Sequence, residues 1–332
     1  MRKFLVAVLF VMLAPLFVQA QNIQMNWDGQ NYSREITDDS NDNKSLAIVG
    51  AGSIDTGAID GASMTVNGKK ININTDAVAQ QVYNAKDRTE ANAKFDIPVS
   101  GQETTGAYVA GGAAYRNNVT NSSVSMTGTT LQGRDVMGGA SLLLDGSARL
   151  GDFSANNNSV TISGGSLSFY DYTAPGATAP ETYGGNVYGG YTMFAKGTAN
   201  NNTVIIKDGA NVAGDVIGGM TNPRLTEEDE QQTNILDTRA NGNSVLVQGS
   251  TVDGVVAGAL GAATANDNTV IIDNSHVGSA FGASIGRGIA NGTDSLVNMN
   301  NNTVIVRNGS TVDATAMAVM NISVTRQYHD VG

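Results

Sequence analysis

Residues 199–220, ANNNTVIIKDGANVAGDVIGGM, alternate apolar and polar positions. Asn202, Val204 and Ile206 share one parity, and Thr203, Ile205 and Lys207 share the other. Side chains on a strand point alternately to opposite faces, so one set faces inward and the other outward. A second short strand over 211–213 and a third over 215–217 are predicted to follow, bounded by Gly residues that permit turn backbone. Related starts recur at NSSVSM (121–126), ANNNSVTI (155–162), ANGNSVLV (240–247), ANDNTVII (265–272) and MNNNTVIV (299–306).

One copy cannot bury its apolar face alone, but stacked copies bury theirs against one another, which is the logic of a solenoid. The pattern therefore places Val124, Val160, Val204, Val245, Val270 and Val304 in one inward ladder, with spacings of 36, 44, 41, 25 and 34 residues. Loops of unequal length inserted into a regular coil give such spacings. The shortest is close to one three-stranded turn of a parallel β-helix. The expected fold is all-β: a right-handed parallel β-helix (β-solenoid) with irregular loop insertions and an N-terminal cap.

Composition agrees with a narrow interior. The 332 residues include 40 Gly and only 8 Phe, and a compact globular core of this length would carry more aromatic side chains. Small and β-branched residues suit a slender β interior. Residues 1–20 read as an export signal, with Arg2 and Lys3, an apolar run over 4–18 and Val18-Gln19-Ala20 as cleavage site. Removing the two cations takes the formal net charge from −11 to −13, which argues against nucleic acid and anionic lipid. There is no Cys, so strand pairing and packing must supply stability without disulfides.

After the signal, 21–103 reads as a polar leader and capping region. It holds an acidic run (38–43) that departs from a calcium loop at the required Gly and Glu, a tight hairpin expected at Asn67-Gly68, and a short helix over 76–94. The array is assigned to 104–320, with a degenerate start expected earlier, because GAYVAGGA (106–113), RDVMGGA (134–140), GNVYGGY (185–191), GDVIGGM (214–220) and GVVAGAL (254–260) match one another. The last copy degrades to ATAMAV (314–319), and 321–332 is a tail. Residues 166–184 and 221–239, rich in Pro, Thr or charge, read as surface excursions.

Chemistry-bearing residues are sparse. His276 and His329 lie far apart, and no metal cluster, phosphate loop or nucleophile motif is present, so no catalytic, metal or cofactor residue is assigned. Asp253 and Asp313 are expected two coils apart on one face, roughly 10 Å, at the wide limit of an inverting glycosidase pair and without aromatic neighbours. Asn158, Asn202, Asn243, Asn268 and Asn302 each stand two residues before a ladder Val, and read as a structural ladder of stacked amides. Ile205, Leu246, Ile271 and Ile305 fall on the outward parity in one register, an apolar stripe for a partner or for a long loop of the same chain.

The repeat A-N-x-N-[ST]-V-x-[IV] followed by G-x-V-x-G-G, behind an export signal, resembles passenger regions of Gram-negative autotransporter-type adhesins over about residues 104–320. The resemblance implies a cell-surface or released β-helix that binds host or neighbouring-cell ligands, and it carries over no functional residue. A membrane barrel, which the full family has, is not found after Met320, so the expectation is a truncated member, a passenger served by a separate barrel transporter, or a periplasmic or secreted solenoid. A β-helical polysaccharide hydrolase or lyase and a self-associating matrix protein are the alternatives.

Overall fold

The computed structural model describes residues 23–27, 32–36, 47–54, 57–68, 70–72, 107–143, 150–172, 178, 180–223, 237–284 and 298–320. The export signal, the run 38–43, the helix expected over 76–94, His329 and the tail lie outside them. The described residues are all-β, and most of their pairing is parallel.

A nine-stranded sheet runs Ile23–Trp27, Tyr32–Ile36, Ser63–Asn67, Ser123–Thr127, Ser159–Ser163, Thr203–Lys207, Ser244–Gln248, Thr269–Asp273, Thr303–Arg307. Only its first pair is antiparallel. Each later strand lies on its counterpart in the preceding copy, with Val124, Val160, Val204, Val245, Val270 and Val304 in one column. A twelve-stranded sheet faces it and has two tiers. The longer tier runs Ala47–Ile54, Ala107–Tyr115, Arg134–Leu142, Val187–Thr192, Val216–Thr221, Thr251–Leu260, His276–Ser284, Thr311–Met320. The shorter tier, Lys70–Asn72, Thr130–Gln132, Ser166–Ser168 and Asn211–Val212, joins the longer one at the start of Thr251–Leu260, which a register shift between Val252 and Val255 divides.

The core lies between the nine-stranded sheet and the two tiers that face it. Val204, Val245 and Val270 are fully buried beside Ile206, Val247 and Ile272, and the facing strands contribute Val216, Val256 and Val252. Each such side chain contributes about 1.5–3 kcal/mol through burial. Parallel stacking with a buried β-branched column is compatible with a β-solenoid.

Glycine is sterically required where the longer tier stacks most closely. A Cβ on Gly138, Gly189, Gly218 or Gly258 would lie 2.5–2.6 Å from the carbonyl oxygen of the next glycine in the column. This accounts for the first Gly of each G-G pair, which local turn chemistry does not explain.

Three expectations need correction. Asn67-Gly68 does not close a hairpin, because Ser63–Asn67 and Lys70–Asn72 each pair in parallel with strands from the next copy, in different sheets. Gly68 has φ +60°, and one left-handed residue serves a corner between sheets as well as a hairpin. The registered stacking also begins before Thr104. Ala47–Ile54 lies on Ala107–Tyr115, and Ser63 on Ser123, so 47–72 form a further copy inside the supposed cap. The excursion 166–184 contains a core strand: Leu167 is buried and paired with Leu131 and Val212, and among the described residues Tyr170–Tyr172 pairs antiparallel with Glu181–Tyr183 in a separate two-stranded sheet. The last copy, whose motif degrades, pairs in parallel with its predecessor, Thr311–Met320 on His276–Ser284, with a register shift between Val277 and Ser279.

Candidate functional site

The outer face of the nine-stranded sheet is built from the parity opposite the valine column. One of its columns is hydroxyl throughout: Ser63, Ser123, Ser159, Thr203, Ser244, Thr269, Thr303. The next runs Thr65, Ser125, Thr161, Ile205, Leu246, Ile271, Ile305, so the predicted stripe is one unbroken stack of four apolar side chains. Ile205, Leu246 and Ile271 are half-buried and Ile305 is 39% exposed. Neighbouring strands in a sheet lie about 4.8 Å apart, so the strip is roughly 14 Å long. A continuous strip is a different surface from isolated exposed apolar residues.

The corner leading into this face explains the A-N-x-N motif. Asn158, Asn202, Asn243, Asn268 and Asn302 are buried. The backbone N–H of Asn158 donates to Asn202 Oδ1 (2.8 Å), that of Asn202 to Asn243 Oδ1 (2.9 Å), that of Asn243 to Asn268 Oδ1 (2.9 Å) and that of Asn268 to Asn302 Oδ1 (3.1 Å). The Nδ2 group of each donor residue reaches the same oxygen. Sequence reading missed a second ladder two positions earlier, running the other way. Asn200 N–H donates to Asn156 Oδ1, Asn241 to Asn200, Asn266 to Asn241 and Asn300 to Asn266, each at 2.7 Å. Between the ladders sits a left-handed residue: Asn157, Asn201, Gly242, Asp267 or Asn301. Asn, Asp and Gly tolerate that backbone best. The doubled Asn was the available signal for the second ladder.

The twelve-stranded sheet carries another polar column on its outward parity: Tyr108, Asp135, Asn186, Asp215. Asn186 donates its backbone N–H and its Nδ2 to Asp135 Oδ1, Asp215 N–H donates to Asn186 Oδ1, and Val255 N–H donates to Asp215 Oδ1. Burial pushes the Asp135 carboxyl up to about 6, against the lowering effect of the Asn186 bonds. Tyr188 and Tyr191 stand beside it edge to face, with centroids 5.2 Å apart. Burial raises the Tyr191 hydroxyl to about 12 although it accepts a bond from Asn222.

Asp253 and Asp313 each follow a Val of one column, Val252 and Val312, two strands apart with Gly278 of the intervening copy between them. His276 Nε2 lies 3.1 Å from Asp313 Oδ2, with Nδ1 2.6 Å from Thr311 Oγ1. Hydroxyl, imidazole and carboxylate have the connectivity of a nucleophile–base–acid relay. His276 and Asp313 are both well exposed, at 44% and 61%, where water competes for every bond. Among the described residues no group of three His, Cys, Asp or Glu side chains is placed to hold a metal, and no helix is long and apolar enough to cross a membrane.

No family model matches the chain, and no curated protein or solved structure is significantly similar to it.

Proposed function

We propose that the chain is a right-handed parallel β-helix, exported to the cell surface or medium, and that it works as a non-enzymatic adhesin-like binding protein. The stripe Ile205, Leu246, Ile271 and Ile305 carries the reading, because a registered apolar strip beside a hydroxyl column offers contact area and hydrogen bonding on one flat face. Its partner is a ligand on a host or neighbouring cell. Delivery by a separate barrel protein fits the export signal read from residues 1–20 and the repeat style. Changing all four stripe residues to Thr keeps strand preference and removes the apolar strip. Cell binding by the purified protein should fall with little change in thermal midpoint, and undiminished binding would refute the role.

A polysaccharide hydrolase is the second reading, and one observation favours it. Asp135 and Asp215 share a column two strands apart, about 10 Å by strand spacing, next to Tyr188 and Tyr191. Each carboxylate already accepts a backbone N–H from the next strand, which suits a structural column better than an acid–base pair. Release of reducing sugar that Asp215→Asn abolishes would reverse this preference.

A further inference from the structure

Thr311–Met320 is an open edge: it pairs with His276–Ser284 on one side and with nothing on the other among the described residues. Ten residues of unpaired strand invite another strand. The last copy also exposes apolar side chains that its predecessors bury or half-bury. Val306 is 40% exposed, Met317 49% and Val319 36%, whereas Ile272, Phe281 and Ala283, their counterparts in the preceding copy, are buried.

The edge is selective about what can join it. Gly258 and Gly282 each lie under the next strand, where a Cβ would meet the following carbonyl oxygen at 2.5 Å and 2.4 Å. The last strand has Ala318 in that column, opposite Gly282. A further parallel strand in the same register would press its carbonyl oxygen into the Ala318 Cβ. An antiparallel ladder sets its hydrogen bonds in alternating pairs perpendicular to the strands, so that collision is not built into it.

From these observations we infer that Thr311–Met320 is a self-pairing edge, which joins two copies of this chain end to end through an antiparallel strand pair about a two-fold axis. A two-fold contact uses the same patch on both partners, so the exposed Met317 and Val319 of each copy are covered by the same apolar edge of the other. The strand's one charged residue is Asp313. With the axis near Thr315 and Ala316, the two Asp313 side chains sit about 17 Å apart along the strands, beyond the Debye length of about 8 Å at physiological salt. Two acidic chains can therefore meet at this edge without facing each other's carboxylates.

Sedimentation velocity of the full chain tests this. The protein should dimerise as concentration rises. Met317→Lys with Val319→Lys should return it to the monomer with an unchanged thermal midpoint, since both side chains are already exposed. If that variant loses its β-type circular dichroism, Met317→Thr with Val319→Thr should weaken the dimer while keeping strand preference. The four-residue stripe variant, which tests cell binding, should still dimerise, so the two readings fail separately. A monomeric full chain overturns the inference, whether or not removing residues 321–332 then allows dimers to form. A dimer that persists in both edge variants overturns it too.

Discussion

The two asparagine ladders stand two residues apart in the same corner, use the same side chain and run in opposite directions. In the inner one each backbone N–H reaches forward to the next copy, and Asn202 and Asn268 have no solvent exposure. In the outer one each N–H reaches back, and its members keep solvent contact. Together they clamp successive copies from both sides of one left-handed residue. The amide is suited to both places because it donates and accepts, but only the inner ladder uses both functions and lacks water to replace a lost partner.

That contrast predicts very different costs for the same substitution. Asn243→Ala removes the acceptor for the N–H and Nδ2 of Asn202 and takes the Nδ2 donor from Asn268 Oδ1, which keeps only the backbone N–H of residue 243. Buried donors left unpaired, with a small cavity added, should cost about 2–4 kcal/mol. Urea unfolding of this variant should show a midpoint far below that of any outer-ladder variant. Equal midpoints would mean that the inner ladder is hydrated.

The Asp135–Asn186–Asp215 column sharpens the point, because it uses carboxylates where the inner ladder uses only amides. Burial lifts Asp135 to about 6, from an ordinary value of 3.8. The folded state then holds its proton more tightly than the unfolded state. This contribution is fully present below about pH 4 and is lost as pH rises through 6. A shift of this size corresponds to about 3 kcal/mol, which partial solvent contact reduces to about 1–2 kcal/mol. The thermal midpoint should therefore rise between pH 7.5 and pH 5, and Asp135→Asn should remove most of that rise. An unchanged slope in the variant would place the titrating group elsewhere.

Much of this arrangement was legible before the structure. The parity of Val204, Val245 and Val270 and the register of Asn202, Asn243 and Asn268 are local properties, fixed by alternation and by a short repeated motif. The hairpin at Asn67-Gly68 was misread because a left-handed glycine satisfies a corner and a hairpin alike, and only the partner strands, 60 residues away at Ser123–Thr127 and Thr130–Gln132, decide between them. Leu167 was lost inside a loop for a related reason: a three-residue strand shows too little alternation to be seen without its partners Leu131 and Val212. The Asp135 column was overlooked although its members share one place in the matching motifs, the residue before Val in RDVMGGA, GNVYGGY and GDVIGGM, because the residue type there changes from Asp to Asn to Asp and the motif was read only for its Val and Gly positions.

A milder effect is expected in the outer ladder. Asn241→Ala deletes the oxygen that accepts Asn266 N–H, but water can reach that group. The loss should be about 0.5–1.5 kcal/mol, in the range of a solvent-accessible capping bond. Hydrogen exchange should report faster exchange at the Asn266 amide with little change at Asn243. Protection lost equally at both amides would show that the two ladders open as one unit.

The smallest effect belongs to the residue between the ladders. Gly242 has φ +66°, while Asn157, Asn201 and Asn301 hold the same corner at +57°, +55° and +56° with a side chain in place. Asn is therefore compatible with the backbone there, and replacing Gly restricts the unfolded chain more than the folded one. One obstacle opposes this: a Cβ on Gly242 would meet Asn201 Oδ1 at 2.4 Å, and that contact is the end of a flexible side chain rather than backbone. Asn157 and Asn201 already place an Asn at this corner in two successive copies. Gly242→Asn should raise stability by about 0.3–0.5 kcal/mol, whereas Gly242→Val, β-branched at positive φ, should lower it by more than about 1 kcal/mol. Thermal unfolding of both variants measures the difference. If Asn destabilises as much as Val, the corner at Gly242 departs from its neighbours, and the opposed ladders are not held by one repeated left-handed turn.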